Sequence, residues 1–295
     1  MTWATFILQT LNGLSIAAIY ILLASGLTIV FGLQGIVNCA HGLFYMLGAY
    51  ISLTVVAKLG QSFWLALPAA FLVNCLLGVL LEMLGIRTLM KWRREFTHVL
   101  ILTVGFGILG QEMVKVIWGA VPQLAGVPPS LRGTLELGGL AYPKYWLFVI
   151  LFTIVIMLGL FFFFFRTGLG TLVQSIALNS EVSQALGTNA PRINTIAFGL
   201  GTGLAGVAGV LAGPILSLNP NMAFELIIVI FVIIIFGGLG SLLGVVVSGV
   251  IVGLVMAFGT ALLSGMIAKI LTFCVMIAVL TFRPLGLFGR GTGWE

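Results

Sequence analysis

The sequence predicts an all-α polytopic membrane protein of about eight or nine transmembrane helices, folded as a single domain over residues 1–295. Three observations carry that class. The chain is 61% hydrophobic and 7% charged, with a mean hydropathy of +1.26, whereas soluble proteins use about 25% charged residues. Its apolar runs are continuous and long enough for helices of about 20 residues; they do not alternate as β-barrel strands do. The 39 glycines suit helices in lipid, where small residues let backbones approach. No linker-like shift in composition and no low-complexity tail divides the chain.

Spans are expected at about 5–31, 38–57, 63–85, 98–118, 144–165, 195–217, 223–240, 242–262 and 266–282. The first is too long for a signal-peptide core, and no basic residue precedes Lys58, so it is expected to remain as a span. The count turns on FGGLGSLLG (236–244), read either as a tight turn between two spans or as a kink within one. IVFGLQG (29–35) and IIFGGLG (234–240) both end apolar spans, an echo that transporter repeats produce and that coincidence between glycine-rich segments produces equally well.

Lysine and arginine set the expected orientation. Arg87, Lys91, Arg93 and Arg94 form the densest basic cluster; with them inside, Arg166, Arg192, Arg283 and Arg290 fall inside too. Lys58, Lys115, Arg132, Lys144 and Lys269 then lie outside, a moderate positive-inside bias. The N-terminus is external, the C-terminus cytoplasmic, and the segment 119–143, with Pro122, Pro128 and Pro129, is an external loop. Basic residues at loops and helix ends account for the net charge of +6 without nucleic acid. Cys39, Cys75 and Cys274 show no CxxC or Cys/His spacing and read as packing residues, not as a disulfide or metal framework.

Catalytic constellations are nearly absent: the chain has no Asp, seven Glu and two His, and no GxxxxGK[ST] motif for ATP. GTGLAGVAGVLAG (201–213) lacks a lysine and lies inside an apolar span, so it reads as a packing face, with GxxxG at Gly199/Gly203 and Gly209/Gly213. Glu82, Glu112 and Glu225 lie near span ends, where snorkelling or pairing with Arg87 or Lys115 is the plain reading. The segment IVNCAHGLFYMLGAY (36–50) says more: spacings of three and four put Asn38, His41 and Tyr45 on one helical face, with Gly42 permitting close approach. These four residues, with Asn12 and Tyr20 on the first span and Glu225, are the candidate translocation path; a hydrogen-bonded structural histidine is the competing reading of His41.

Between two charge-free runs, Tyr145–Phe165 and Ile193–Asn219, lies the polar stretch Arg166–Arg192, expected as a cytoplasmic loop over about 166–194. Leu169, Leu172, Val173 and Ile176 form a narrow apolar stripe at helical spacing, continued by Ser180 and Ser183. A single helix from about Gly170 to Leu186 is expected, capped at Gly187 and stopped by Pro191. With one charge in that helix, docking into a groove of a partner protein is expected; the competing reading is a helix lying on the bilayer.

Four segments occur in the order of a known family: VNCAHG with YMLGAY, the loop RTGLGTLVQSIALNSEVSQALGTN, the GGLGS turn at 237–241 and the terminal FRPLGLFG (282–289). Over nearly its whole length the chain resembles the permease subunits of branched-chain amino-acid ABC importers, a group that also serves urea, amides and some aromatic acids. The resemblance implies a non-enzymatic permease in a bacterial-type plasma membrane, importing a small polar solute, a branched-chain or other amino acid first among them. It implies a second permease, related or identical, two cytoplasmic ATPases that carry the ATP and Mg, and an external substrate-binding protein, with no cofactor in this chain. It maps the family's coupling helix onto Thr171–Gly187, with Thr171, Gln174, Ser175, Leu178, Asn179, Glu181, Val182, Ala185 and Gly187 facing the ATPase. The loop departs from the family by carrying fewer charges. Two other classes compete: an ion-coupled secondary transporter, whose uptake follows a gradient and makes Glu112 or Glu225 indispensable, and an intramembrane enzyme, for which only His41 with Tyr45 or Asn38 is on offer.

Overall fold

The computed structural model describes residues 2–92 and 96–289; the expected basic residues Arg93, Arg94 and Arg290 fall outside them. The fold runs α1 (Trp3–Gln34), α2 (His41–Leu53), a π turn (Thr54–Lys58), α3 (Phe63–Leu80), a second π turn (Leu81–Ile86), α4 (Arg87–Trp92) and α5 (Phe96–Trp118). A 3-10 turn (Pro129–Leu131) and the antiparallel hairpin β1 (Thr134–Leu137) and β2 (Leu140–Pro143) follow. Then come α6 (Lys144–Arg166), α7 (Gly168–Leu178), α8 (Ser180–Ala185), α9 (Ala190–Ala212), α10 (Met222–Gly237), α11 (Leu242–Leu262) and α12 (Gly265–Phe282).

Side-chain oxygens start most of these helices. Thr2, Ser62, Thr167, Asn179, Asn189, Ser241 and Ser264 each accept a backbone N–H of the first turn, supplying the partner that helix starts otherwise lack. Seven of the described helices are long and apolar enough to cross a membrane: α1, the continuous stretch Phe63–Trp92, α5, α6, α9, α11 and α12. Two elements expected as full spans fall short. At about 1.5 Å per residue the 16 residues of α10 reach roughly 24 Å, less than the roughly 30 Å hydrocarbon core.

Both short helices begin inside the bundle. After α1 the chain turns at Gly35 (φ 62°), runs back through the non-helical 35–40, and starts α2 level with Leu23 in the middle of α1. After α9 it does the same through 213–221, held by an isolated β-bridge between Gln123 and Leu218, and starts α10 beside Gln111 of α5. The chain enters α1 at the end of the bundle that carries the hairpin, where the Ser15 hydroxyl lies 3.1 Å from that of Tyr142. It leaves α9 at the same end, where Tyr145 Oη donates to Leu211 O at 2.9 Å. Thus α1 and α9 are antiparallel, as are α2 and α10. The packing is reciprocal: α1 lies against α11 and α9 against α3. These are two inverted halves, each a long helix, a re-entrant segment and a half-helix, the broken-helix plan of many transporters. The echo between 29–35 and 234–240 is not their equivalence, since those segments end α1 and α10, which are not partners.

The buried centre is α1 against α9. Gly26 and Gly201 face each other so closely that a Cβ on either would strike the other's carbonyl oxygen, and side chains larger than hydrogen would separate the halves. Three expected boundaries shift. The span expected at 38–57 starts at His41, because Asn38 lies in the turn ahead of the helix, its side chain accepting the Ala40 N–H, and Ala40 is the N-cap. The span expected at 195–217 is α9, five residues earlier at both ends, because Asn189 and Pro191 start it and the chain leaves helix at Gly213 to re-enter the bundle. The segment 236–244 is a turn, with Gly238 (φ 104°) and Gly240 (φ 80°) ending α10 before α11 begins.

Candidate translocation core and coupling surface

The two half-helices are built from the same local device. Asn38 Oδ1 accepts the Ala40 N–H at 3.0 Å and its carbonyl accepts the His41 N–H at 3.2 Å. Asn219 Oδ1 accepts the Asn221 N–H at 2.9 Å and its carbonyl the Met222 N–H at 3.1 Å. An asparagine side chain that mimics a backbone turn lets a helix begin where no water is available. The two starts meet: a Cβ on Gly42 would overlap the Ala223 carbonyl oxygen. Five of the sequence candidates gather here. Asn38, His41, Gly42 and Tyr45 are buried, and Tyr20 of α1 is buried beside Tyr45, near enough for the two phenols to interact electrostatically.

His41 Nε2 donates to the Leu23 carbonyl at 3.0 Å. The carbonyl only accepts, so the proton sits on Nε2. Nδ1 is then a bare acceptor, and it has no hydrogen-bond partner among the described residues. Asn38 Nδ2 likewise has none. An unpaired donor and an unpaired acceptor buried beside two converging helix starts form a polar crossing that a polar solute or water can satisfy. Asn12 stands apart, half-buried near the hairpin end with its amide donating to Gln9 Oε1 at 3.4 Å. Glu225, one turn into α10, lies outside the crossing and is exposed, at an open surface depression shared with Lys269 of α12. Glu112 pairs with Lys115 on the same turn of α5.

The opposite end of the bundle carries the polar loop. The expected single helix is broken at Asn179, which ends α7 and caps α8 by accepting the Val182 N–H at 3.0 Å. Asparagine competes with the helical ladder by offering its own oxygen to the backbone, and here the competition produces two helices. Gly187 (φ 91°) closes α8: its N–H reaches Gln184 O at 2.9 Å and the Thr188 N–H reaches Ser183 O at 3.0 Å, a Schellman pair. Gly170, Ile176 and Ser183 turn inward against the bundle, where α7 touches the ends of α1 and α9. The expected stripe is therefore divided: Ile176 is buried and Val173 half-buried, but Leu169 and Leu172 are exposed.

What the loop offers outward is a different set. Leu178 is 86% exposed, Leu186 83% and Val182 54%, flanked by the exposed Asn179, Glu181, Ala185 and Gly187. Thr171 and Gln174 are also exposed and Ser175 half-exposed; all three bond locally, Gln174 Nε2 donating to Phe164 O at 2.6 Å and so fixing α7 to the end of α6. Three large apolar side chains on a short, capped, nearly uncharged surface need a cover.

A buried ion pair ties this surface to the first half. Glu82 Oε2 accepts from Arg87 Nη2 at 2.8 Å and from Thr195 Oγ1 at 2.8 Å, while Oε1 accepts from Arg87 Nε at 3.2 Å. Arg87 Nη2 also donates to Pro191 O at 2.7 Å, and to Thr195 Oγ1. The first turn of α9, which leads directly out of the loop, is thus fastened to the π turn below α3. The sequence suggests the Glu82–Arg87 pair but not Thr195 or Pro191, because nothing in the spacing reveals which distant turn receives the arginine. It also misses Asn219; the Asn-x-x start ahead of an apolar run, shared by Asn38 and Asn219, is the available signal.

The family model described as branched-chain amino acid transport system/permease component matches residues 9–280. The high-affinity branched-chain amino acid transport system permease protein BraD of Pseudomonas aeruginosa is 32% identical over 97% of this chain and 96% of its own length. Protein LivH of Escherichia coli, of the same description, is 28% identical with coverages of 97% and 96%. LivM, also of E. coli and so described, is 27% identical over 82% of this chain and 61% of its own. No solved structure matches at a significant level.

Proposed function

This chain belongs to the family of branched-chain amino acid transport system permease components, and we propose that it imports a small polar solute by alternating access driven by separate ATPases. It is a multi-pass membrane protein and a transport subunit, not an enzyme. In the proposed assembly, two ATPases dock on α7–α8 from the cytoplasm, a second permease stands beside this one, and a substrate-binding protein delivers solute at the hairpin end. The N-terminus is then outside and the C-terminus inside. The occurrence of both LivH and LivM in one organism among the relatives supports a second, related permease. A branched-chain amino acid is the proposed solute, the substrate class in the relatives' names.

One observation carries the ATPase reading: the outward apolar trio Leu178, Val182 and Leu186 on a capped helix pair that is itself fastened to α6 and α9. ATP-driven movement of the docked subunits would push on α8, and the Thr195–Arg87–Glu82 junction would pass that displacement to α3. The solute passes between states of the crossing at Gly42 and Ala223, a two-state element biased by nucleotide through a rigid contact. The test is disulfide crosslinking. Single cysteines at Glu181 or Gln184 should trap a cysteine-bearing ATPase, more strongly with ATP than without. If no position from Thr171 to Gly187 crosslinks in an assembled transporter, the coupling role is wrong.

A further inference from the structure

We propose that the π turn Leu81–Ile86 is a two-register switch. It keeps the π register while the Glu82–Arg87–Thr195 junction is closed, and relaxes to an α-helix when the start of α9 moves away, rotating α4 about its axis. The inference rests on reading α7–α8 as the ATPase-coupling surface and adds to it the element that the displacement sets in motion.

Three contacts join residues five apart along this segment. The Arg87 N–H bonds to the Glu82 carbonyl, the Arg87 guanidinium pairs with the Glu82 carboxylate at 2.8 Å, and Thr88 Oγ1 donates to Met83 O at 3.2 Å. In an α-helix, side chains meet at spacings of three and four. Residues five apart there stand about 140° from one another, with their Cα atoms about 8.6 Å apart. The ion pair and the Thr88 bond therefore belong to the π register, and in an α-helix Ile86 would take the place of Arg87 beside Glu82. Single π turns recur inside α-helices at functional sites. The contacts that hold this one come from outside its own helix. Thr195 Oγ1 donates to Glu82 Oε2 at 2.8 Å, and Arg87 Nη2 donates to Pro191 O at 2.7 Å, both at the start of α9, which follows α8 directly in the chain. On the outer side of the turn Met83 and Leu84 are exposed, so no core packing there opposes a change of register. Passing the extra residue of the π turn down the helix turns Arg87–Trp92 by about 100° and shifts it by about 1.5 Å. A small displacement of the loop is thus converted into a rotation of α4.

The test is a cysteine pair, Met83→Cys with Thr88→Cys, in a permease whose Cys39, Cys75 and Cys274 are replaced by alanine and which is assembled with its ATPases. Both positions are exposed. A disulfide needs Cα atoms within about 7 Å, so oxidation joins the pair in the π register and not in an α-helix. The yield, read as protection of both thiols from PEG-maleimide on a gel, should differ about fivefold or more between the nucleotide-free and the ATP/vanadate-trapped transporter. Uptake should fall about tenfold on oxidation, since one register is then locked, and return with dithiothreitol. Deleting Leu84 removes the extra residue and leaves Glu82 and Arg87 at the α-helical spacing of four. That permease should co-purify with its ATPases as the parent does, yet import about tenfold less. Equal disulfide yield in both states, no disulfide in either, undiminished uptake by the oxidised pair, or full uptake after the deletion overturns the switch. If cysteines at Glu181 or Gln184 still trap the ATPase in a nucleotide-dependent way, the coupling reading stands without it. Absence of any crosslink from the loop overturns the coupling reading instead, whatever the Met83–Thr88 pair does.

Discussion

Replacing Arg87 with methionine should destabilise the protein more than replacing Glu82, and removing both should cost least. The Glu82 side chain is 4% exposed and that of Arg87 24%. Arg87→Met strands a buried carboxylate with Thr195 Oγ1 as its remaining donor, and breaking a buried pair in this way costs about 3–5 kcal/mol. Glu82→Met leaves a guanidinium that keeps Pro191 O and can turn toward solvent, so about 1–2 kcal/mol is lost. In the double variant no charge is stranded and two apolar side chains fill the space, which is close to neutral in other buried pairs. At about 2 °C per kcal/mol for a chain of this size, the apparent melting midpoint should fall roughly 6–10 °C for Arg87→Met. The drop should be less than half of that for Glu82→Met and least for the double variant. Thermal denaturation of the detergent-purified protein, read by fluorescence-detected size exclusion, gives the ranking. A double variant as unstable as Arg87→Met, or a Glu82→Met variant worse than Arg87→Met, would refute the claim that this carboxylate is held in a buried, paired state.

Three further outcomes follow from single contacts. Gly42→Val drives a branched side chain into the Ala223 carbonyl; overpacking costs about 1–3 kcal/mol, and the variant should melt lower and lose uptake while Gly105→Ala, which faces open space, changes neither. Gly187→Val forces a β-branched residue to φ 91°, costing about 1–2 kcal/mol; limited proteolysis within 186–190 should accelerate with little change in the global midpoint. Leu178→Ser with Leu186→Ser removes most of the exposed apolar surface of the loop; the fraction of ATPase co-purifying with the permease should fall about tenfold while the isolated permease keeps its melting midpoint. An unaltered ATPase fraction would mean that the apolar trio is not the contact.

The starts of α3, α11 and α12 fall within a residue of where hydropathy puts them, and Ser62, Ser241 and Ser264 cap them locally. The start of α9, expected at 195, lies five residues earlier, at the same kind of device, Asn189. The full spans were legible for the same reason that composition was, since hydropathy integrates over about twenty residues. The recessed starts of α2 and α10 were not. A helix that begins in mid-bilayer has the same side chains as one that begins at its surface, and its position is decided by the other half of the molecule: Leu23 for His41, Gln111 for Asn221. The loop shows the same limit at smaller scale. Its helical period and its Gly187 terminus were readable, but its single helix was not, because Asn179 either tolerates a helix or starts a new one according to what packs on Ile176 and Ser183. Of the path candidates, the cluster around His41 was readable from spacing, although Asn38 lies in the turn before the helix and not on its face.

The interleaving of the two halves also sets an order of events in biosynthesis. α1 packs on α11, α2 and α3 on α9, and the start of α2 on Ala223. The first half therefore emerges from the ribosome with nearly all of its permanent neighbours still unmade. At about 5–20 residues per second, Gly42 waits roughly 10–35 s for Ala223. Throughout that interval the non-helical backbone of 35–40 has to be sheltered by something other than the native fold, since bare peptide groups do not persist in lipid. The insertion machinery, water near the forming bundle, or a provisional full-length helix through Asn38 would each serve. In the last case α2 shortens by unwinding its first turns only when α9 and α10 arrive, and the recessed helix start is the final feature of the fold to form.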